Sequence, residues 1–236
     1  MIQEHDLTQE AGQTGLTTSK KFALQTVVID PGHGGSDHGV SLPSQTANTA
    51  GLFEKDVTLN IAKLLATSLT QRLGVRVILT RQGDDFIPAD ERTTIANNNR
   101  ADVLISLHVN NSTSPALSGF EAYVMDYGGF GLPAGYEEVS AQSQLLDYAQ
   151  ARYLDQSTRL ANQILAAYEA RSTRKAGILR NAPLFTLRGA TMPAVHLEIG
   201  YNSNNKDQAQ IIQDSFQQMI VSIITDGIAA FKKQEE

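Results

Sequence analysis

A run of apolar, β-branched residues that ends abruptly in an acid, a proline and a cluster of glycines constrains this chain more than any other stretch. It reads Val27-Val28-Ile29-Asp30-Pro31-Gly32-His33-Gly34-Gly35-Ser36-Asp37-His38-Gly39. Such a run is a buried strand handing over to a loop. In α/β proteins binding sites form beyond the carboxyl ends of strands, so His33 stands at such a mouth. Glycine tolerates positive φ and leaves room for a ligand, so the loop can wrap tightly around the imidazole. A metal ligand or a catalytic base would suit that place, and so would a histidine that only decorates a turn.

The rest of the chain repeats the alternation of strand and helix. Val57, Ile61, Leu64, Leu65 and Leu69 fall at helical spacing and stop at Gly74, which puts Glu54 at the helix start. A carboxylate there also has a bland explanation in the helix dipole. Strands are expected over Val75–Thr80, Ala101–Val109, Phe120–Met125, Pro183–Leu187 and Ala194–Ile199, and helices over Ala89–Asn99, Thr158–Arg171 and about Ser215–Lys232. Val40–Gly51 reads as a loop. The expected fold is one α/β domain with a mostly parallel or mixed twisted sheet of about six strands and helices on both faces. Residues 1–24 read as a polar tail or linker and 25–236 as the folded domain.

In the third strand, side-chain alternation places Leu104, Ser106 and His108 on one face, with His108 just before Asn110 and Asn111. The last strand, Ala-Val-His-Leu-Glu-Ile, holds Glu198 among apolar residues. A buried carboxylate is normally paired, bound to metal or protonated. The 236 residues include no cysteine, which excludes disulfides, thiolate zinc sites and cysteine nucleophiles. Any metal must therefore be held by His, Asp or Glu. Two histidines and one glutamate are a known ligand set for catalytic zinc with an open position for water, and a further glutamate would serve as base. No compact motif such as His-Glu-x-x-His is present to prove it. The formal charge of −6, with no basic cluster, argues against nucleic acid as a partner.

Several separate motifs point one way. They are Val-Val-Ile-Asp-Pro-Gly-His-Gly-Gly-Ser-Asp, Glu-Lys-Asp-Val-Thr-Leu-Asn-Ile-Ala, Leu-Thr-Arg, Arg-x-x-x-Ala-Asn, Ala-Asp-Val-Leu-Ile-Ser-Leu-His-Val-Asn and Pro-Ala-Val-His-Leu-Glu-Ile-Gly-Tyr-x-Ser-Asn. In this order, from about Thr26 to the last helix, the chain resembles the zinc-dependent N-acetylmuramoyl-L-alanine amidases of the amidase type 3 family. The resemblance implies one Zn2+ per chain on His33, Glu54 and His108, with Glu198 as the catalytic glutamate. It further implies peptidoglycan as substrate, cut between N-acetylmuramic acid and L-alanine, and an extracytoplasmic location. A zinc carboxypeptidase or aminopeptidase, or a catalytically silent peptidoglycan-binding module, are the competing readings.

Further residues complete the expectations. Asn110, Ser106 and His196 are candidates for contact with the substrate or with the ligands. His196 stands where relatives carry an aliphatic residue, and Ala176-Gly177 where they often carry Arg-Gly. His196 shares a strand face with Glu198, so it either tunes that carboxylate or is a core histidine. His38 and His5 read as solvated, and Arg81 and Arg92 as structural partners of Asp84, Asp85 or Asp102. Residues 126–157 are expected to form a lid or a substrate lip, with Glu137 and Glu138 as regulatory candidates and a protein activator as the partner that a lid would need. The chain is expected to be a monomer with no membrane span and no signal peptide.

Overall fold

A computed structural model describes residues 22–43, 51–125, 149–173 and 177–236. In chain order it contains β1 (Thr26–Pro31), β2 (Ser41–Leu42), β3 (Leu52–Phe53), α1 (Glu54–Leu73), β4 (Arg76–Leu79), α2 (Ala89–Asn98), β5 (Val103–Asn110) and β6 (Glu121–Val124). A 3-10 turn (Ala151–Tyr153), α3 (Leu154–Arg171), β7 (Ile178–Asn181), β8 (Ala194–Tyr201), α4 (Asn205–Ile211) and α5 (Asp214–Glu235) follow. The six main strands form one sheet in the order β4-β1-β5-β8-β6-β7. The first four are parallel, while β6 pairs antiparallel with β8 and parallel with β7. The sheet is therefore mixed.

Period-two alternation sorts the strand residues into two unequal cores. Val27, Ile29, Val103, Ile105, Leu107, Val195, Leu197 and Ile199 enter the large core. There they meet α1, α3 and α5, whose stripes include Ile61, Leu65, Ile164, Ile224 and Phe231. Gly227 of α5 lets two helices close up, because a Cβ there would lie 2.5 Å from Ile164 Cα. Val28, Leu104 and Ala194 face the other way into a small core completed by Ala96 of α2 and by Leu187, Ala190 and Met192. Among the described residues helices thus cover both faces, the second more thinly, and the polar residues of β5 and β8 lie on that side.

Local chemistry sets the ends of the elements. Glu54 and Asp56 occupy the first turn of α1, and Asp56 Oδ2 accepts a hydrogen bond from Phe53 N at 3.0 Å. Gly74 closes the helix at φ 66°, a left-handed cap that glycine adopts without strain.

Three expectations change. The strand expected at Pro183–Leu187 is instead β7 at Ile178–Asn181, and 183–187 is a series of turns closed by Leu184 N to Ala182 O and Leu187 N to Leu184 O. Pro183 has no N–H to donate to a ladder. Part of the stretch read as a loop forms the β2–β3 hairpin. Helix α4, too polar to show a stripe, starts on Asn204, whose side chain accepts from Lys206 N and Asp207 N.

The expected tail falls almost wholly outside the described residues, as do His5, Ala176, Glu137, Glu138 and most of the 126–157 segment read as a lid or lip. Residues 149–157 are described and held: Gln150 is buried and donates to the carbonyls of Ala190 and Met192. Among the described residues no helix is long and apolar enough to cross a membrane.

Candidate metal centre

Parallel strands deliver their carboxyl ends to one edge of the sheet, so residues distant in sequence meet there. Register pairs Asp30 with Ser106 and His108 with Glu198. His33 follows β1, and Glu54 opens α1 just beneath. Its Oε1 lies 3.0 Å from His33 Nε2 and 3.1 Å from His108 Nδ1. One ligand atom from each of His33, Glu54 and His108 falls within 4.8 Å of the others.

Glu54 does more than face a helix dipole. Its side chain is buried, and the backbone aims it: Val109 N donates to Oε1 at 2.8 Å and Val40 N to Oε2 at 3.1 Å. Leu107 O still accepts from Gly32 N on the β1 side of β5, but β1 ends at Pro31, so the next N–H on that side, that of Val109, is left for Glu54. Burial alone would raise the Glu54 pKa, but hydrogen bonds from His108 and His33 hold it far below the usual carboxylate range. Burial opposes the protonated form of His33, yet Glu54 and then Asp37 raise its pKa above the ordinary value. Asp37 Oδ2 lies 2.8 Å from His33 Nδ1, close enough for an ion pair although not aligned as a hydrogen bond.

The loop that presents His33 is held by buried guanidinium groups. His33 adopts φ 61°, a region uncommon for a residue with a Cβ. Arg92 Nη2 donates to His33 O at 2.8 Å, and Nη1 donates to Pro31 O and to Asp30 Oδ1. Arg81 donates to the carbonyls of Pro31, Gly32 and Lys55. Both arginines are structural, as expected, but their partners are not Asp84, Asp85 or Asp102. Asp84 instead pairs with Lys55 at 2.7 Å, and Asp102 accepts from the backbone of Gln25 and Thr26. Loop carbonyls with no ladder partner are what recruited the guanidinium donors. At Gly32 a Cβ would stand 2.4 Å from His108 Cε1, so only glycine lets the two histidines approach.

Around the three converging residues, Ser106 is fully buried and donates to Asp30 Oδ2 at 2.8 Å, so it is closed to solvent. Asn110 is half-buried and accepts from Asn111 N. His196 is buried and bonds Glu198 Oε1 at 2.9 Å, and burial followed by the neighbouring His108 lowers its pKa. His38 is exposed and stacks on Phe53. A cleft of about 260 Å³ lined by Phe86, Ile87, Pro88, Thr186, His33 and His108 leads to the centre. Asp30 and Thr186 had no role assigned from sequence. An acid inside a buried apolar strand is the same signal that marked Glu198, and it marks Asp30 equally.

The donor set fits a divalent cation. A buried carboxylate between two imidazoles offers a face of N and O ligands, and His108 Nε2 and Glu198 Oε2 are buried with no hydrogen-bond partner among the described residues. These features can hold zinc and move a proton beside it.

A family model described as N-acetylmuramoyl-L-alanine amidase matches residues 27–230. The probable N-acetylmuramoyl-L-alanine amidase AmiB of Haemophilus influenzae is 29% identical over 228 residues, covering 87% of this chain and 52% of that protein. The sporulation-specific N-acetylmuramoyl-L-alanine amidase of Bacillus subtilis is 31% identical over 203 residues, covering 86% of this chain and 66% of that one. This chain thus spans about half the length of the Haemophilus relative. The crystal structure of an N-acetylmuramoyl-L-alanine amidase from Clostridium difficile 630 superposes with a TM-score of 0.70 at 28% identity, covering 91% of this chain and 100% of that one.

Proposed function

Because this chain belongs to the N-acetylmuramoyl-L-alanine amidase family, we propose that it hydrolyses the amide between N-acetylmuramic acid and L-alanine in peptidoglycan, with zinc held by His33, Glu54 and His108 and Glu198 as the general base. The observation that carries this reading is the meeting of the three ligand residues from three separate elements within 4.8 Å, beside Glu198 in the register of β5 and β8. Zinc bound there would supply a Lewis acid for the scissile carbonyl and would lower the pKa of a water toward about 7.

The chain's own residues supply the rest. Glu54 stays ionised because two backbone N–H groups and two imidazoles surround it. Glu198 takes the proton of the attacking water at Oε2, the oxygen with no partner among the described residues, and returns it to the leaving nitrogen. Without that transfer the amine would be a poor leaving group. The cleft walled by Phe86, Ile87 and Pro88 gives the substrate its approach to His33 and His108. Since the polymer lies outside the cytoplasmic membrane, that is where the protein acts.

Digestion of purified peptidoglycan by zinc-loaded protein, with the new ends identified by mass spectrometry, tests the proposal. Stem peptides beginning in L-alanine and glycan bearing free lactyl carboxylates are expected. Trimming of peptide termini, or binding without cleavage, would overturn it.

A further inference from the structure

Two residues before Glu198, β8 carries a second polar side chain with both of its polar atoms committed. His196 Nε2 lies 2.9 Å from Glu198 Oε1 and Nδ1 lies 3.0 Å from Thr186 Oγ1. The ring stacks on His108 at 4.4 Å between centroids and 16° between planes, and meets Tyr123 edge-on at 5.7 Å. It cannot turn without losing two hydrogen bonds and a stacked neighbour. Glu198 is divided differently: Oε1 is bonded to His196, while Oε2 is buried with no hydrogen-bond partner among the described residues.

We propose that Thr186 and His196 are positioning residues that hold Glu198 by Oε1 and leave Oε2 as the oxygen that exchanges the proton with the substrate. The proposal rests on Glu198 being the general base. A glutamate has three side-chain torsions, and a base already held in orientation does not have to lose that freedom during reaction. When the Thr186 hydroxyl donates to Nδ1, the ring proton sits on Nε2 and is donated to Oε1, so the carboxylate is kept as an acceptor. Thr186 lies in the turns between β7 and β8 and lines the same cleft as His33 and His108. The orientation of the base is thereby tied to the cleft wall. Any buried imidazole needs hydrogen-bond partners, and here one lies on Glu198 and the other on the wall of the cleft.

Three variants separate these roles. His196→Leu removes both bonds, His196→Gln keeps an N–H donor near the position of Nε2, and Thr186→Val removes only the hydroxyl. For His196→Leu, kcat on peptidoglycan should fall about 10–100-fold with KM and zinc content unchanged. His196→Gln should recover most of that loss. Thr186→Val should lower kcat by a smaller factor, and the double variant Thr186→Val/His196→Leu should be no slower than His196→Leu, because both act through one chain of contacts. A His196→Leu enzyme with wild-type kcat, a Gln variant no better than Leu, or additive losses would overturn the proposal. Glu198→Gln measured alongside isolates the parent assignment. An active Glu198→Gln enzyme would remove Glu198 as base, whereas an inactive one beside a fully active His196→Leu would remove only the positioning role.

Discussion

Replacing Asp30 by asparagine isolates the charge beneath the loop that presents His33. Asp30 is fully buried; its Oδ1 accepts from Thr80 Oγ1 at 2.6 Å and Arg92 Nη1 at 2.7 Å, and its Oδ2 accepts from Ser106 Oγ at 2.8 Å. Asparagine has the same shape. Its oxygen can keep the bonds from Thr80 and Arg92, and its amide can donate to Ser106, whose hydroxyl turns to accept. What disappears is the negative charge beside the buried guanidinium of Arg92. Removing one member of a buried pair costs about 3–5 kcal/mol, and since the hydrogen bonds survive we expect about 3 kcal/mol. Burial pushes the Asp30 carboxyl up, but the charge of Arg92 and the bond from Thr80 outweigh it and hold the pKa below 3.8. A depressed folded-state pKa stabilises the protein fully above the unfolded value and is lost as pH falls through the folded one. The gap between wild type and Asp30→Asn should therefore be widest at neutral pH and close in acid below about pH 4. Urea unfolding followed by far-UV circular dichroism across that range measures it. A gap independent of pH, or one under about 1 kcal/mol at neutral pH, would refute the assignment of Asp30 as the counter-charge of Arg92.

Other substitutions probe separate parts of the molecule. His33→Ala or His108→Ala should lose zinc together with activity by metal analysis, and wild-type zinc in either would remove that residue from the ligand set. Gly32→Ala places a Cβ against the His108 ring; chelator competition should show weaker zinc binding, and unchanged affinity would mean that the loop can give way. Gly227→Ala should lower the melting temperature although alanine favours helix by about 1 kcal/mol, because the Cβ meets the backbone of α3 at Ile164 and overpacking costs about 1–3 kcal/mol. A raised melting temperature would show that α3 and α5 can separate at little cost.

Local periodicity determined much of this protein before any contact was considered. Apolar runs at strand length and stripes at helical spacing announced β1, β5 and β8 and helices α1 and α5, because burial of a face is written in residue type one turn or one pleat at a time. Local signals marked His33, Glu54, His108 and Glu198 one at a time, and resemblance to a known family joined them into one site, which no spacing within the chain could do. Only the tertiary structure decided how they meet. The pairing of His108 with Glu198 across β5 and β8, and the end of β1 at Pro31 that leaves Val109 N for Glu54, depend on strands far apart in sequence. The arginine partners were illegible for the same reason. Arg92 looks equally suited to any nearby acid in a linear reading, but the fold buries it beneath the glycine loop, where Asp30 and unpaired carbonyls must be satisfied. His196 could be read as core or as partner of Glu198, because the two-residue period gives only a shared face. The choice depends on the hydroxyl of Thr186, delivered by turns where the local pattern suggested a strand. Alternation and stripes depend on a residue's neighbours in the chain, whereas charge compensation and hydrogen-bond satisfaction depend on whatever the fold places within about 3 Å.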